Sequence, residues 1–392
     1  MIRTIDECFF QIQNGVNIKQ GTADGGFPIT RIETTANDKF NRDRMGYAGI
    51  TDISKYKSYV LEDGDLLMSH INSIRYLGRT VLYVRQPNET IIHGMNLLRL
   101  KARRDVINPA YARYCFYGHS FKRQIGNISK KSVNQASFAV NDLKQIKVEV
   151  PPIEDQDSIV SVLDKIEKII ELRKGELAIL DSLIKARFVE MFGDPVQNEK
   201  GWKTKPLLDM GNCKNGMNFH YDDCGVEINC LGVGDFKDLS VIENTEILPM
   251  VSLNEMPSEE YLLKDDDIVF VRSNGNKELV GRSLAVYPGD VPTAFSGFCI
   301  RYRKHDDEVT VPYLLRVLKA ESIRLKMAGR GANIQNLNQQ ILETLIIPVP
   351  PKELQLEFAA FVHQVDKSKV VVQKALDEAQ LLFDSLMQKY FG

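Results

Sequence analysis

Within residues 154–191, apolar positions recur in alternating steps of four and three, at Ile159, Leu163, Ile166, Ile170, Leu177, Leu180 and Ile184, with Arg173 on one seam position. The stretch holds no proline. Such spacing predicts a long helix packed lengthwise against a partner helix, a rod of about 55 Å at the usual helical rise. Adding 199 to each seam position gives Phe358, Val362, Val365, Lys369, Val372, Leu376, Ala379 and Phe383, so the chain carries the seam twice. Each predicted rod is apolar on one face and polar on the other, and needs a partner. The other rod of the same chain is the simplest candidate. Because the linker at 193–201 is short and a compact stretch lies between the rods, they are expected to run antiparallel. A two-fold self-dimer through the rods would leave the same sequence pattern.

The repetition extends beyond the rods. IKVEVPPIEDQ runs to Gln156 before the first rod and LIIPVPPKELQ runs to Gln355 before the second; Phe192-Gly193 and Phe391-Gly392 close the two copies at the same offset. Upstream, YVLEDGDLL from Tyr59 recurs as YLLKDDDIV from Tyr261, and Gly78-Arg79 recurs as Gly281-Arg282, at offsets of 202 and 203. Several segments agreeing in order point to an internal duplication. At each Pro-Pro the chain is expected to leave a globular unit, since successive prolines favour an extended path. Gly175 weakens the first rod without necessarily breaking it.

In the first half, short strands are expected at 65–68, 80–84 and 96–100. The loop between the first two contains Ser69, His70, Asn72, Ser73, Arg75 and Tyr76; its counterpart contains Arg272, Ser273, Asn274, Asn276 and Lys277. Both loops leave an apolar strand and end at the repeated Gly-Arg, so one scaffold presents two different sets of side chains. A site grafted on a duplicated frame looks like this, and so do variable loops with no function. Pro109 is expected to start a helix to Phe121, and Pro312 its counterpart to Met327. Bases cluster afterwards at Lys122, Arg123, Lys130 and Lys131, matched by Arg324, Lys326 and Arg330. Arg42 and Arg44 stand among Tyr47, Tyr56 and Tyr59. Phosphate contact and an ordinary solvated surface are both open for these groups.

Composition narrows the classes. With 392 residues and 43% hydrophobic content there is material for two cores and connecting helices. The six cysteines lack a zinc spacing and are expected to be thiols of a reducing cytoplasm. No leader and no apolar run of membrane-spanning length is evident. The net charge is -2, yet residues 101–150 hold 10 Lys+Arg against 3 Asp+Glu, while 151–200 hold 7 against 11. A local basic patch can grip phosphate on a nearly neutral protein. There is no phosphate-binding glycine loop, no dinucleotide fingerprint and no H-E-x-x-H. Asn108-Pro109-Ala110-Tyr111 is similar to the Asn-Pro-Pro-Tyr signature of amino-group DNA methyltransferases, but the second half offers Val311-Pro312-Tyr313-Leu314, without the asparagine. A helix start accounts for both copies. Ser69 and His70, adjacent on a strand, would face opposite sides and make no nucleophile pair. No catalytic residue, metal site or bound cofactor is therefore expected in this chain.

The two V-P-P-x-x-x-Q junctions, Val150-Pro151-Pro152 with Gln156 and Val349-Pro350-Pro351 with Gln355, each lead into a long helix. With the FVEMFGDP ending from Phe188 to Pro195, they resemble the specificity subunit of type I restriction-modification systems over essentially the whole chain. The resemblance implies an α/β fold class with two pseudo-symmetric globular target recognition domains, at 1–152 and 202–351. Long helices at 153–192 and 352–392, with a linker at 193–201, would pair as an antiparallel coiled coil and set the gap between two unlike DNA half-sites. It also implies two modification subunits that use S-adenosylmethionine for adenine N6-methylation, and optionally two restriction subunits using ATP with Mg. Carried onto this sequence, it makes Ser69, His70, Asn72, Arg75, Tyr76, Arg272, Asn274, Asn276 and Lys277 candidate base readers on double-stranded DNA. Arg42, Arg44, Lys130, Lys131, Arg330 and Asn333 become candidate phosphate contacts. A self-dimerising DNA-binding adaptor without a methyltransferase partner, a free-standing methyltransferase and a purely structural spacer are the alternatives.

Overall fold

A computed structural model of the chain describes residues 1–21, 25–133, 135–219, 223–236, 240–276, 278–328 and 336–392. Two helices of 40 residues each, Ile153–Phe192 and Lys352–Phe391, dominate it. The chain divides into two compact units, Met1–Lys174 with Lys374–Gly392, and Gly175–Gln373. Each unit thus contains one globular part and one half of each long helix, a partition that cuts across the globular-domain and spacer segments read from the sequence.

In the first unit, strands Phe9–Asn14, Leu97–Ala102, Leu66–Ser69 and Thr80–Leu82 form an antiparallel sheet in that spatial order. A small second sheet holds Ile71–Asn72, Ala136–Ser137 and Lys130–Lys131, and Ile2–Thr4 pairs with Lys147–Glu149. Alternate residues of the main sheet, Leu66, Met68, Leu98 and Leu100, enter one core with Tyr111, Phe116 and Phe121. The same core takes in Val160 and Leu163 from the first long helix and Phe383, Leu386, Met387, Tyr390 and Phe391 from the second. The start of one helix therefore lies beside the end of the other.

The second unit repeats the plan with additions. Gly211–Asn215, Cys299–Lys304, Asp267–Val271, Ser283–Val286 and Val241–Ile242 form a five-stranded sheet, Met250–Leu253, Val226–Leu231 and Thr293–Phe295 a three-stranded one, and Lys203–Pro206 pairs with Ile346–Val349. Ion pairs report the direction of its helix halves: Arg187 meets Glu357 at 2.8 Å and Asp181 meets Lys369 at 2.7 Å. As one helix advances the other retreats, so the pairing is antiparallel. Every seam residue predicted from the periodicity is buried or half-buried, and Phe188, Phe192 and Phe358 stack with centroids 5.3–5.6 Å apart.

The duplication is visible bond by bond. Gln156 is fully buried; its Oε1 accepts from the Asn108 amide at 2.8 Å, and its Nε2 donates to the carbonyls of Val106 at 3.0 Å and Pro151 at 2.7 Å. Gln355, also fully buried, does the same with Thr310 at 2.8 Å and with Glu308 and Pro350, both at 2.9 Å. Tyr111 donates its hydroxyl to the Glu149 carbonyl and Tyr313 to that of Pro348. Each long helix is thereby clamped to the first turn of an earlier helix of its globular part, Pro109–Tyr117 in one unit and Val311–Lys319 in the other.

Those equivalences correct the sequence reading in two places. Asn108 matches Thr310, one residue before the predicted counterpart, because the two prolines differ in place: Pro109 is the first residue of its helix and Pro312 the second. The Asn108 side chain accepts from the Ala110 and Tyr111 amides and donates to Asp157, an N-cap occupation that accounts for the signature-like tetrapeptide. The expected single helices are each two, Pro109–Tyr117 with His119–Ile128 and Val311–Lys319 with Glu321–Ala328. Extended backbone at Gly118 and Ala320 breaks them, and a Cβ on Gly118 would lie 2.4 Å from that of Phe391. Gly175 stays helical with open space around it.

Replacing Gln156 with Ala orphans one buried amide and two carbonyls, and the expected cost is about 3 kcal/mol, read as a lower urea midpoint at unchanged slope. Burial also holds the His93 imidazole down to about 3, with Nε2 2.9 Å from the Leu97 carbonyl. The folded-state value lies below the unfolded one, so stability is full above about pH 6.5 and falls as the unfolded chain takes up a proton the native one refuses. Between pH 7 and 5.5 this group removes about 1 kcal/mol, and a pH series of unfolding midpoints on His93→Gln should lose that part of the slope.

Candidate nucleic-acid interface

Both candidate loops leave their strands through one backbone latch. The Ser69 amide donates to the Arg79 carbonyl and the Gly78 amide to the Ser69 carbonyl, both at 2.8 Å; Val271, Arg282 and Gly281 repeat this at 2.9 Å. Gly78 at φ 78° and Gly281 at φ 77° occupy the left-handed region that glycine enters without a Cβ penalty. Beyond the latch the Phe138 amide reaches the His70 carbonyl at 3.3 Å, as the Leu337 amide reaches that of Arg272 at 2.8 Å.

In the first unit, burial sorts the candidates. Ser69 is fully buried and accepts from Asn72 Nδ2 at 3.1 Å, while Asn72 Oδ1 holds the Ser73 amide at 2.8 Å. His70 is 8% exposed, packs edge-on to Phe138, and burial lowers its pKa, so it supplies no cation at neutral pH. These three groups build the loop. Arg75 and Tyr76 stand on the exposed turn Ile74–Tyr76, and the Arg75 and Arg79 guanidiniums lie 5.5 and 4.3 Å from the Tyr76 ring centroid. Arg79, missed in the sequence because its Gly-Arg repeat reads as a backbone feature, is held to Asp38 at 2.8 Å. With Lys122 these residues line a cleft of about 250 Å³.

The small sheet brings the exposed Lys130 and Lys131 to this loop, because Ala136–Ser137 pairs with both Ile71–Asn72 and Lys130–Lys131. Arg42 is differently employed: it grips both carboxylate oxygens of Glu89 at 2.8 and 2.7 Å and the Val84 carbonyl at 2.8 Å. That pairing raises the Arg42 pKa and holds Glu89 down to about 2. A guanidinium so occupied is a fold contact rather than a ready phosphate ligand. Arg44, on the turn Arg42–Arg44, is exposed.

In the second unit, the Arg272 amide donates to the Phe298 carbonyl at 2.7 Å, and its Nη1 to the Gly297 carbonyl at 3.3 Å. Asn274 Oδ1 holds the Asn276 amide at 2.7 Å and Asn276 Oδ1 the Glu278 amide at 3.1 Å. With Oδ1 turned onto the backbone, Asn274 and Asn276 offer a base edge chiefly their amino groups, and the two-bond adenine contact of a free asparagine would cost the turn. Lys277, Arg330 and Asn333 lie outside the described residues. Among the described residues no group of His, Cys, Asp and Glu could hold a metal ion, and no helix is long and apolar enough to cross a membrane.

A family model of the type I restriction modification DNA specificity domain matches the chain twice, over residues 3–181 and 199–379. The putative type I restriction enzyme MjaX specificity subunit of Methanocaldococcus jannaschii is 26% identical, with 95% of this chain and 90% of that protein covered. The type I restriction enzyme StySPI specificity subunit of Salmonella potsdam is 24% identical over 93% and 81%. The fold is shared with the S subunit of a type I restriction-modification system from M. genitalium, at a TM-score of 0.59, 15% identity and coverage of 100% and 96%. It is shared too with a chain solved in work on complex assembly and conformational transition of the type I R-M system, at 0.56, 15%, 100% and 97%.

Arg75→Ala should weaken binding to a matched duplex by about tenfold or more while leaving unrelated DNA nearly untouched. Lys131→Ala should weaken both equally and reduce the salt slope by about 1. Titrations at several salt concentrations check this, and an equal loss on both duplexes for Arg75→Ala would remove that residue from the reading surface.

Proposed function

Because the chain belongs to the type I restriction modification DNA specificity family, we propose that it selects the DNA sequence on which a modification and restriction assembly acts. The carrying observation is a family match over both halves of a duplicated frame whose latches and clamps agree while its loops differ. Unlike loops on like frames read unlike half-sites, so the target is bipartite and asymmetric, with the paired helices as the ruler between its halves. Lys130 and Lys131 hold phosphate, and Arg75, Tyr76 and Arg272 face the bases.

Two modification subunits dock on the outward sides of the long helices, where Leu172 (62%), Ile179 (68%), Val370 (69%) and Leu381 (73%) stand exposed. S-adenosylmethionine, and ATP with Mg where restriction subunits join, are the business of those partners; this chain contributes recognition and assembly, not bond-making. The self-dimerising adaptor has less support, because seam residues such as Leu163 and Ile184 are already packed in cores that the other helix of the same chain also enters.

Base-resolution mapping of adenine methylation, in cells carrying a modification subunit with and without this chain, tests the reading. The expected result is one fully modified motif of two unlike halves at a fixed spacing, with exchange of residues 1–150 altering one half alone. Methylation by this chain without a partner, or a soluble DNA-binding complex that modifies nothing, would overturn it.

A further inference from the structure

Phe298 is 60% exposed, an apolar ring set out beside the second candidate loop, and its backbone is held on both sides by hydrogen bonds. It follows the strand Thr293–Phe295 and precedes Cys299–Lys304. The Gly297 amide donates to the Met217 carbonyl at 2.7 Å, the Phe298 amide to Ser296 Oγ at 3.3 Å and the Cys299 amide to the Ser296 carbonyl at 2.8 Å. The Phe298 carbonyl then accepts from both Arg272 at 2.7 Å and Ser273 at 3.4 Å. A Cβ at 297 would sit 2.1 Å from Asn218 Oδ1, so a side chain there would have to push the Asn218 amide aside. An apolar ring held out in water on a fixed turn gains nothing in the free protein and has lost its backbone freedom in advance, the profile of a preorganised contact.

Register locates the same position in the first unit. Ser69 pairs with Leu97 as Val271 pairs with Cys299, so Phe298 corresponds to Asn96, whose φ of 80° lies in the left-handed region. The buried His70 corresponds to Arg272. The second unit therefore presents an arginine and an aromatic ring, joined by a backbone hydrogen bond, where the first presents neither. Duplex DNA hides its base faces, and the apolar group it offers on an undistorted edge is the thymine 5-methyl in the major groove.

We propose that Phe298 is a specificity contact that packs on the 5-methyl group of a thymine in the half-site read by the second unit, next to the base or phosphate taken by Arg272. The assignment rests on the function proposed above. A half-site modified on adenine contains an A·T pair, so a thymine is present to be read.

Once the methylated motif is mapped, duplexes carrying uracil in place of each thymine of that half-site are titrated with the full chain in complex with its modification subunit. One position should cost the unaltered protein about fourfold, the share of a single buried methyl. Phe298→Ala should weaken the thymine duplex by about tenfold and abolish the uracil penalty at that position alone, with an unchanged salt slope because no phosphate contact is lost. Phe298→Ala binding as tightly as the parent, or uracil penalties that persist in it undiminished, would overturn the assignment. Absence of any bipartite motif with the unaltered chain would instead sink the functional reading on which it stands.

Discussion

A buried glutamine at the entrance to each long helix is the constraint on which the fold depends. Two prolines end the small strand pairing, and the helix that follows must leave at a defined angle to be of use. Gln156 and Gln355 set that angle by bonding at once to the proline carbonyl just behind them and to the backbone entering the globular unit's own helix. Each side-chain amide uses both donors and its acceptor, so a shorter or charged side chain leaves polar backbone buried without a partner. Tyr111 and Tyr313 add a second tether a turn later.

The clamps separate what must be invariant from what can vary. Strand ends, Gly78 or Gly281, and the junction share one pattern of bonds in both units, whereas the residues between Val271 and Gly281 number one more than those between Ser69 and Gly78. That insertion leaves the latch intact. Loop-closure entropy rises slowly with length, and the latch makes its bonds with backbone rather than side chains. Side chains on the loop can be exchanged without disturbing the core beneath, which is what a protein with many possible targets requires of its scaffold.

Much of this was legible in the sequence because it depends on period and repetition. The seam from Ile159 to Ile184 and its copy from Phe358 to Phe383 are buried or half-buried as the spacing predicts, and the junction glutamines stand out in the sequence by recurrence. What stayed illegible depends on contacts between residues far apart in the chain. Nothing near Arg42 announces Glu89, 47 residues away, and nothing near Gly118 announces the approach of Phe391 that forbids a side chain there. Local side-chain to backbone bonding likewise gives Asn72, Asn274 and Asn276 a turn-forming role that residue type alone does not announce.

Residue type alone does not name the target. Arg272 has a guanidinium suited to guanine, yet one of its nitrogens is already directed at the Gly297 carbonyl, so the edge it offers is set by the turn that holds it. Arg75 is aimed by its stacking on Tyr76, which Arg79 approaches as well. In each unit the guanidinium is therefore presented by the turn that orients it, and two arginines on equivalent frames need not point alike. The scaffold thus aims a few exposed groups through their turns, while the duplicated bonds beneath keep each aim fixed.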